Sequence, residues 1–187
     1  METVIWIFVI AATLFVGSIM LSFNRFVKQR ASIDNSWANV ETELQRRHYL
    51  IPNLVATVKA YAAHEAATFT LVTNARIGAM TAQGGPEAHT GPENLLSGGL
   101  RQLLAVSEAY PELQASDRFL DLQRELVTTE DRIQAARRLF NRNVRDYNQR
   151  VETIPSILIA AAFRFRARDY FEIEPSAAAV PSVRNTD

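Results

Sequence analysis

The sequence predicts an all-α protein, an N-terminal transmembrane helix followed by an antiparallel up-and-down four-helix bundle. Three observations carry this fold class. Residues 3–23 (TVIWIFVIAATLFVGSIMLSF) contain no charge. Beyond them, apolar residues recur at three- and four-residue spacings over long stretches, which is the period of a one-sided helix. No segment alternates apolar and polar residues with the period of two that a half-buried strand requires.

The apolar run comes first. Twenty-one helical residues reach about 31 Å at 1.5 Å each, which matches the hydrocarbon thickness of a bilayer. Thr3, Trp6 and Phe23 lie within this expected membrane span. A cleaved signal peptide calls for a basic start and a small-x-small cleavage site, whereas Glu2 precedes this run. Arg25, Lys28 and Arg30 follow it directly. By the positive-inside rule, the N-terminus is expected outside and the remainder in the cytoplasm.

The first soluble helix continues from the membrane, since no Gly or Pro separates Phe23 from Arg47. Phe26, Ile33, Trp37, Val40, Leu44 and Ile51 form a heptad-like, coiled-coil-type seam on it. Proline is costly inside a helix and welcome in its first turn, so a turn is expected near residues 48–51, with a second helix from Pro52. A kinked continuous helix is the alternative. Leu54, Val58, Tyr61, Phe69 and Val72 supply the second helix's apolar face, which ends before Gly78. Six of the seven glycines fall within residues 78–99, and residues 78–94 read as a flexible loop. Pro92 suits the first turn of a short third helix that buries Leu95, Leu96, Leu100, Leu103 and Leu104. The fourth helix is long. Leu126, Ile133, Phe140, Tyr147 and Ile154 repeat every seven residues, with Ser116 as N-cap and Pro155 at the end.

Two stretches resemble the LemA family of bacterial membrane proteins: residues 46–65 (RRHYLIPNLVATVKAYAAHE) and 136–172 (ARRLFNRNVRDYNQRVETIPSILIAAAFRFRARDYFE). With the apolar run and the Trp37 seam, the resemblance covers roughly residues 1–173. It implies a membrane-anchored helical bundle with a short outside N-terminus. The family includes proteins linked to magnetosome membranes and others named only for an antigenic epitope. It has no established enzymatic activity or catalytic residues. The tail, residues 174–187, resembles no motif and reads as disordered.

Composition excludes more chemistry than it suggests. Twenty basic residues balance twenty acidic ones, which argues against binding nucleic acid through net charge. Without cysteine there is no thiol nucleophile, disulfide or zinc knuckle. His64-Glu65 begins a HExxH pattern, but Thr68 stands where the second histidine is needed. No Glu is followed by His three residues on, as di-iron bundles require. No catalytic residue, cofactor or metal is therefore expected. Arg46, Arg47 and His48 read as a solvated helix end favoured by the macrodipole. His64 reads as a helical residue packed near Tyr61.

Two surfaces remain. Asn141, Asn143, Arg145, Asp146 and Asn148 form a polar patch in which asparagine is unfavourable for a helix interior. The patch reads either as an inter-helix network that fixes register, or as a contact for another chain or for Asn53. Charge is also polarised along the fourth helix. Residues 108–131 hold seven acidic and two basic residues, and residues 132–150 hold six basic residues and one acidic. An up-and-down bundle returns this basic end to the lipid, where each charge near an anionic surface gains about 1 kcal/mol. Residues 154–165 (IPSILIAAAFRF) are too few to span a bilayer and apolar enough to lie in its interface, or to fold back over the core. Arg25, Lys28, Arg30, Arg150, Ile157, Leu158, Phe163, Arg164, Phe165 and Arg166 are the expected membrane-surface residues. The functional expectation is a non-enzymatic scaffold that binds anionic lipid and self-associates into homo-oligomers. The alternative is an adaptor for a membrane-protein partner such as a protease or sensor.

Overall fold

The computed structural model describes residues 1–173; the tail expected to be disordered lies outside them. The described chain is all-α, with helices α1 (Glu2–Lys59), α2 (Ala66–Thr81), α3 (Pro86–Ser107), α4 (Pro111–Gln114), α5 (Asp117–Glu152) and α6 (Ser156–Ala162). Four helices were expected beyond the apolar run; the short α4 and α6 are additional, and the chain departs from expectation in three places.

First, α1 is a single helix of 58 residues, about 87 Å long. Its N-terminal apolar stretch is exposed and is long and apolar enough to cross a membrane. The expected turn at Pro52 is absent. Proline cannot donate to the carbonyl four residues back, here that of His48. Arg76 of α2 replaces the missing donor, with its Nε 2.7 Å from the His48 oxygen. The break comes instead at residues 60–65, where Tyr61 is 41% exposed and His64 sits in an exposed turn, not packed within a helix.

Second, the glycine-rich stretch is mostly helical. Only residues 82–85 separate α2 from α3. Gly84 makes the reversal at φ +122, a conformation in which a side chain is strained. Pro86 takes the first turn of α3, and Pro92 lies inside it. The α2–α3 pair packs at Gly99, where an added Cβ would lie 3.2 Å from Leu71 Cδ2 and 3.3 Å from Val72 Cγ2. Gly99→Val should therefore destabilise the domain by about 1–3 kcal/mol through overpacking. Urea unfolding followed by helical circular dichroism checks this; an unchanged midpoint would show that the helices can separate without loss.

Third, residues 154–162 turn into the separate short α6. Ser116 is at the N-cap position of α5 but makes no side-chain cap bond.

Helices α1 and α5 run antiparallel along most of the domain, since Phe26 meets Tyr147, Trp37 meets Phe140 and Arg47 meets Glu130. Their seams bury one another. A membrane-proximal core holds Phe26, Ile33, Val40, Leu44, Ile133, Phe140, Val144 and Tyr147. A distal core joins Ile51, Leu54 and Val58 to α2, α3, Leu113 of α4, Phe119 and Leu126. Leu95, expected inside, is 70% exposed.

Candidate functional site

The two cores are separated by a buried polar layer. Arg47 and His48 follow Leu44 by one helical turn and share its inward face. Arg46 is exposed as expected, but all three residues lie inside α1 and Arg47 and His48 are not solvated: Arg47 and Glu93 have no exposed surface, and Glu130 and His48 have almost none. Arg47 donates from Nη2 to Glu93 of α3. Its Nη1 donates to Glu130 of α5 at 3.0 Å and to the Ser97 hydroxyl at 3.2 Å. The second Glu93 oxygen lies 2.9 Å from His48 Nε2, and Gln134 donates to the second Glu130 oxygen at 2.8 Å. One guanidinium thus ties three helices at a single level, and its carboxylates are fully hydrogen-bonded.

Burial alone would raise the Glu93 carboxyl, but the His48 hydrogen bond and the Arg47 charge outweigh it and hold the pKa below 4.5. A depressed carboxylate stabilises the fold fully above the unfolded-state value, and that contribution disappears as pH falls through the folded-state value. Stability should therefore decline as pH falls below the ordinary carboxylate range, and Glu93→Gln should flatten that limb of the stability curve. A pH titration of urea midpoints on both proteins reads this; parallel curves would contradict it.

A cleft of about 420 Å³ opens beside this layer, lined among others by Glu41, His48, His89 and Glu93. His48 and Glu93 are already committed to each other and to Arg47, so neither is free to act as a base. Among the described residues no group of three or more His, Cys, Asp or Glu could hold a metal ion.

The polar patch on α5 serves the chain's own C-terminal segment. Asn141 donates to the Phe171 carbonyl and accepts from the Phe171 N–H, each at 3.0 Å. One heptad later, Asn148 grips Arg168 in the same way, at 2.9 and 2.8 Å. Seven helical residues rise about 10.5 Å, and three extended residues cover about 10 Å; the matched spacings let one helix face hold an extended strand. Arg137 donates to the Ile173 carbonyl. Phe171 and Ile173 are buried in the membrane-proximal core. Asn143 instead bridges to α1, donating to the Ser32 carbonyl at 3.3 Å and the Ser36 hydroxyl at 3.2 Å. Arg145 and Asp146 are exposed. Asn53 is exposed too and does not join this network.

At the end of the domain nearest the apolar run, α6 folds back on α1. Phe163 meets Phe23 edge-on at 4.9 Å, and Phe165 stacks on Phe26 at 4.7 Å. Phe23, taken as the last spanning residue, thus carries the domain's lowest packing contact. Phe165 is 9% exposed and belongs to the core, not to a membrane-facing surface. Ile154, Ile157, Leu158 and Phe163 point outward, with 81%, 40%, 71% and 50% exposure. Arg25, Lys28, Arg30, Arg164 and Arg166 are exposed around them, and Arg150 is half-buried.

The LemA family model matches residues 36–184. Magnetosome protein MamQ 1 of Paramagnetospirillum magneticum and magnetosome protein MamQ of Magnetospirillum gryphiswaldense are each 26% identical over 193 aligned residues. Each alignment covers 90% of this chain and 71% of the relative. Members of the family are not known enzymes. This membrane-associated helical protein belongs to the LemA family.

Proposed function

We propose that the protein is a membrane-surface scaffold, an upright helical domain attached at two points that gathers copies of itself. The observation carrying this reading is the Phe23–Phe163 contact. It pins the exposed apolar side of α6 at the level where the apolar part of α1 ends. A bilayer around that part of α1 meets Ile154, Ile157 and Leu158 in its interface, and the surrounding arginines meet anionic headgroups. The short N-terminus lies outside and the domain inside, because Arg25, Lys28 and Arg30 follow the span while Glu2 precedes it. Helices α1, α2, α3 and α5 then alternate direction as an up-and-down bundle. The unpartnered apolar part of α1, with Gly17 and Ser18 as a small-residue patch, supports self-association within the membrane. The relatives' names, which place them with the magnetosome, favour work on a membrane over soluble chemistry.

The absence of cysteine allows a direct test. A polarity-sensitive fluorophore on Leu158→Cys in the full chain, reconstituted into anionic nanodiscs, should report an apolar surrounding. The same probe on Tyr49→Cys, 69% exposed and far up α1, should report water. Identical, water-like spectra at both positions would remove the second attachment point.

A further inference from the structure

We propose that a pocket at the membrane end of the domain binds the headgroup of a single phospholipid that carries both a phosphate and a primary amine. The proposal rests on the reading of α6 as a second membrane contact, and it adds a defined ligand to that contact. The pocket holds about 430 Å³ and is lined by Gln29, Asp146, Gln149, Arg150, Thr153 and Ser156. That is ample for a small headgroup.

Its depth follows from the helix register. Tyr147 lies against Phe26 and α5 runs antiparallel to α1, so Arg150 lies one turn nearer the apolar run, at about the level of Phe23. Gln29 lies six residues, about 9 Å, above Phe23. The headgroup layer on each side of a bilayer is about 5–7 Å thick, so these side chains bracket it.

Two of the lining residues each carry a polar atom without a protein partner, the Nε of Arg150 and the Oε1 of Gln29. Both atoms are shielded as the side chains stand, so a ligand reaches them only when these half-buried side chains turn outward. A buried donor and acceptor without partners are costly to keep. A phosphate satisfies the guanidinium with charge-assisted hydrogen bonds. Asp146 precedes Arg150 by one helical turn, which places the two charges on neighbouring positions of one face. A headgroup with a short linker between phosphate and ammonium can meet both, with its ammonium donating to Asp146 and to the Gln29 carbonyl oxygen. The acyl chains of such a lipid would run down beside Ile154 and Leu158, which follow Arg150 toward the bilayer and are strongly exposed. A quaternary ammonium offers no N–H to Asp146 or Gln29, and a glycerol headgroup can donate hydroxyls to the carboxylate but brings no positive charge to balance it. The site therefore favours phosphatidylethanolamine over phosphatidylcholine and phosphatidylglycerol.

The test uses the full chain in nanodiscs of equal parts of these three lipids, released gently and weighed by native mass spectrometry. The wild type should retain one phosphatidylethanolamine. Arg150→Gln should lower its occupancy tenfold or more, and Asp146→Asn should bring ethanolamine and choline lipids to parity while a lipid is still retained. Equal retention of all three lipids by the wild type, or full occupancy in Arg150→Gln, would overturn the site. The Leu158→Cys fluorophore in the same samples separates the two claims. An immersed probe with unselective retention overturns the headgroup site alone, whereas a water-exposed probe overturns the membrane contact and this proposal with it.

Discussion

Replacing Arg47 with alanine should destabilise the domain by about 3–5 kcal/mol, a large part of the stability of a domain of this size. The loss does not come from packing volume. Glu93 and Glu130 keep their burial and lose the guanidinium that joins them, so two carboxylates face each other in a low-dielectric layer. Burial would then be opposed by His48 alone, and the Glu93 carboxyl would shift upward. Arg47→Met combined with Glu93→Gln and Glu130→Gln removes every charge at once and should recover most of the loss. Buried ion networks often add little over neutral replacements of similar size, while broken ones are costly. Urea unfolding of the single and triple variants decides between these cases. If the triple variant were as unstable as the single one, the layer would owe its contribution to packing, not to charge compensation. The layer also separates two apolar cores that share the same seams. A slip of α1 against α5 by one turn would leave Arg47 among leucines and isoleucines, which makes the layer a register key.

Replacing Asn141 and Asn148 together by alanine should free the C-terminal segment from α5. Each amide donates to and accepts from one backbone unit, and each alanine leaves both groups unpaired at a cost of about 1–3 kcal/mol. The two losses act on one strand and should couple. The Arg168 and Phe171 amides give the direct readout, because both donate to asparagine oxygens. In the double variant these two amides should exchange with solvent far faster, and trypsin should cut at Arg164, Arg166 and Arg168. Unchanged exchange at both amides would mean that burial of Phe171 and Ile173 alone holds the segment. Released, α6 would lose its fixed position against Phe23, so membrane contact should weaken in the same variant.

The apolar seams were legible because they depend only on period. Phe26, Ile33, Val40, Leu44, Ile133, Phe140 and Tyr147 all lie in the membrane-proximal core. Arg47 and His48 share the phase of Leu44 and Ile51, so their burial was encoded too. It was missed because an arginine is rarely buried unless paired, and its partners lie 46 and 83 residues away. The helix through Pro52 was hidden for a similar reason, since the donor that replaces the lost backbone bond is Arg76, 28 residues downstream of His48. In the glycine-rich stretch, tertiary packing at Gly99 overrode weak helix propensity. The asparagine patch was conspicuous by composition, but its partner was not visible. An extended segment held through its backbone carries no periodic signature, and residues 164–173 show none.

Self-assembly at the membrane is read from the mass of the full-length protein in native-like nanodiscs, with any co-purifying protein identified. The scaffold account predicts one discrete homo-oligomer of this chain. A single copy in each disc, joined in fixed ratio by a different membrane protein, would contradict it and make this chain an adaptor for that partner.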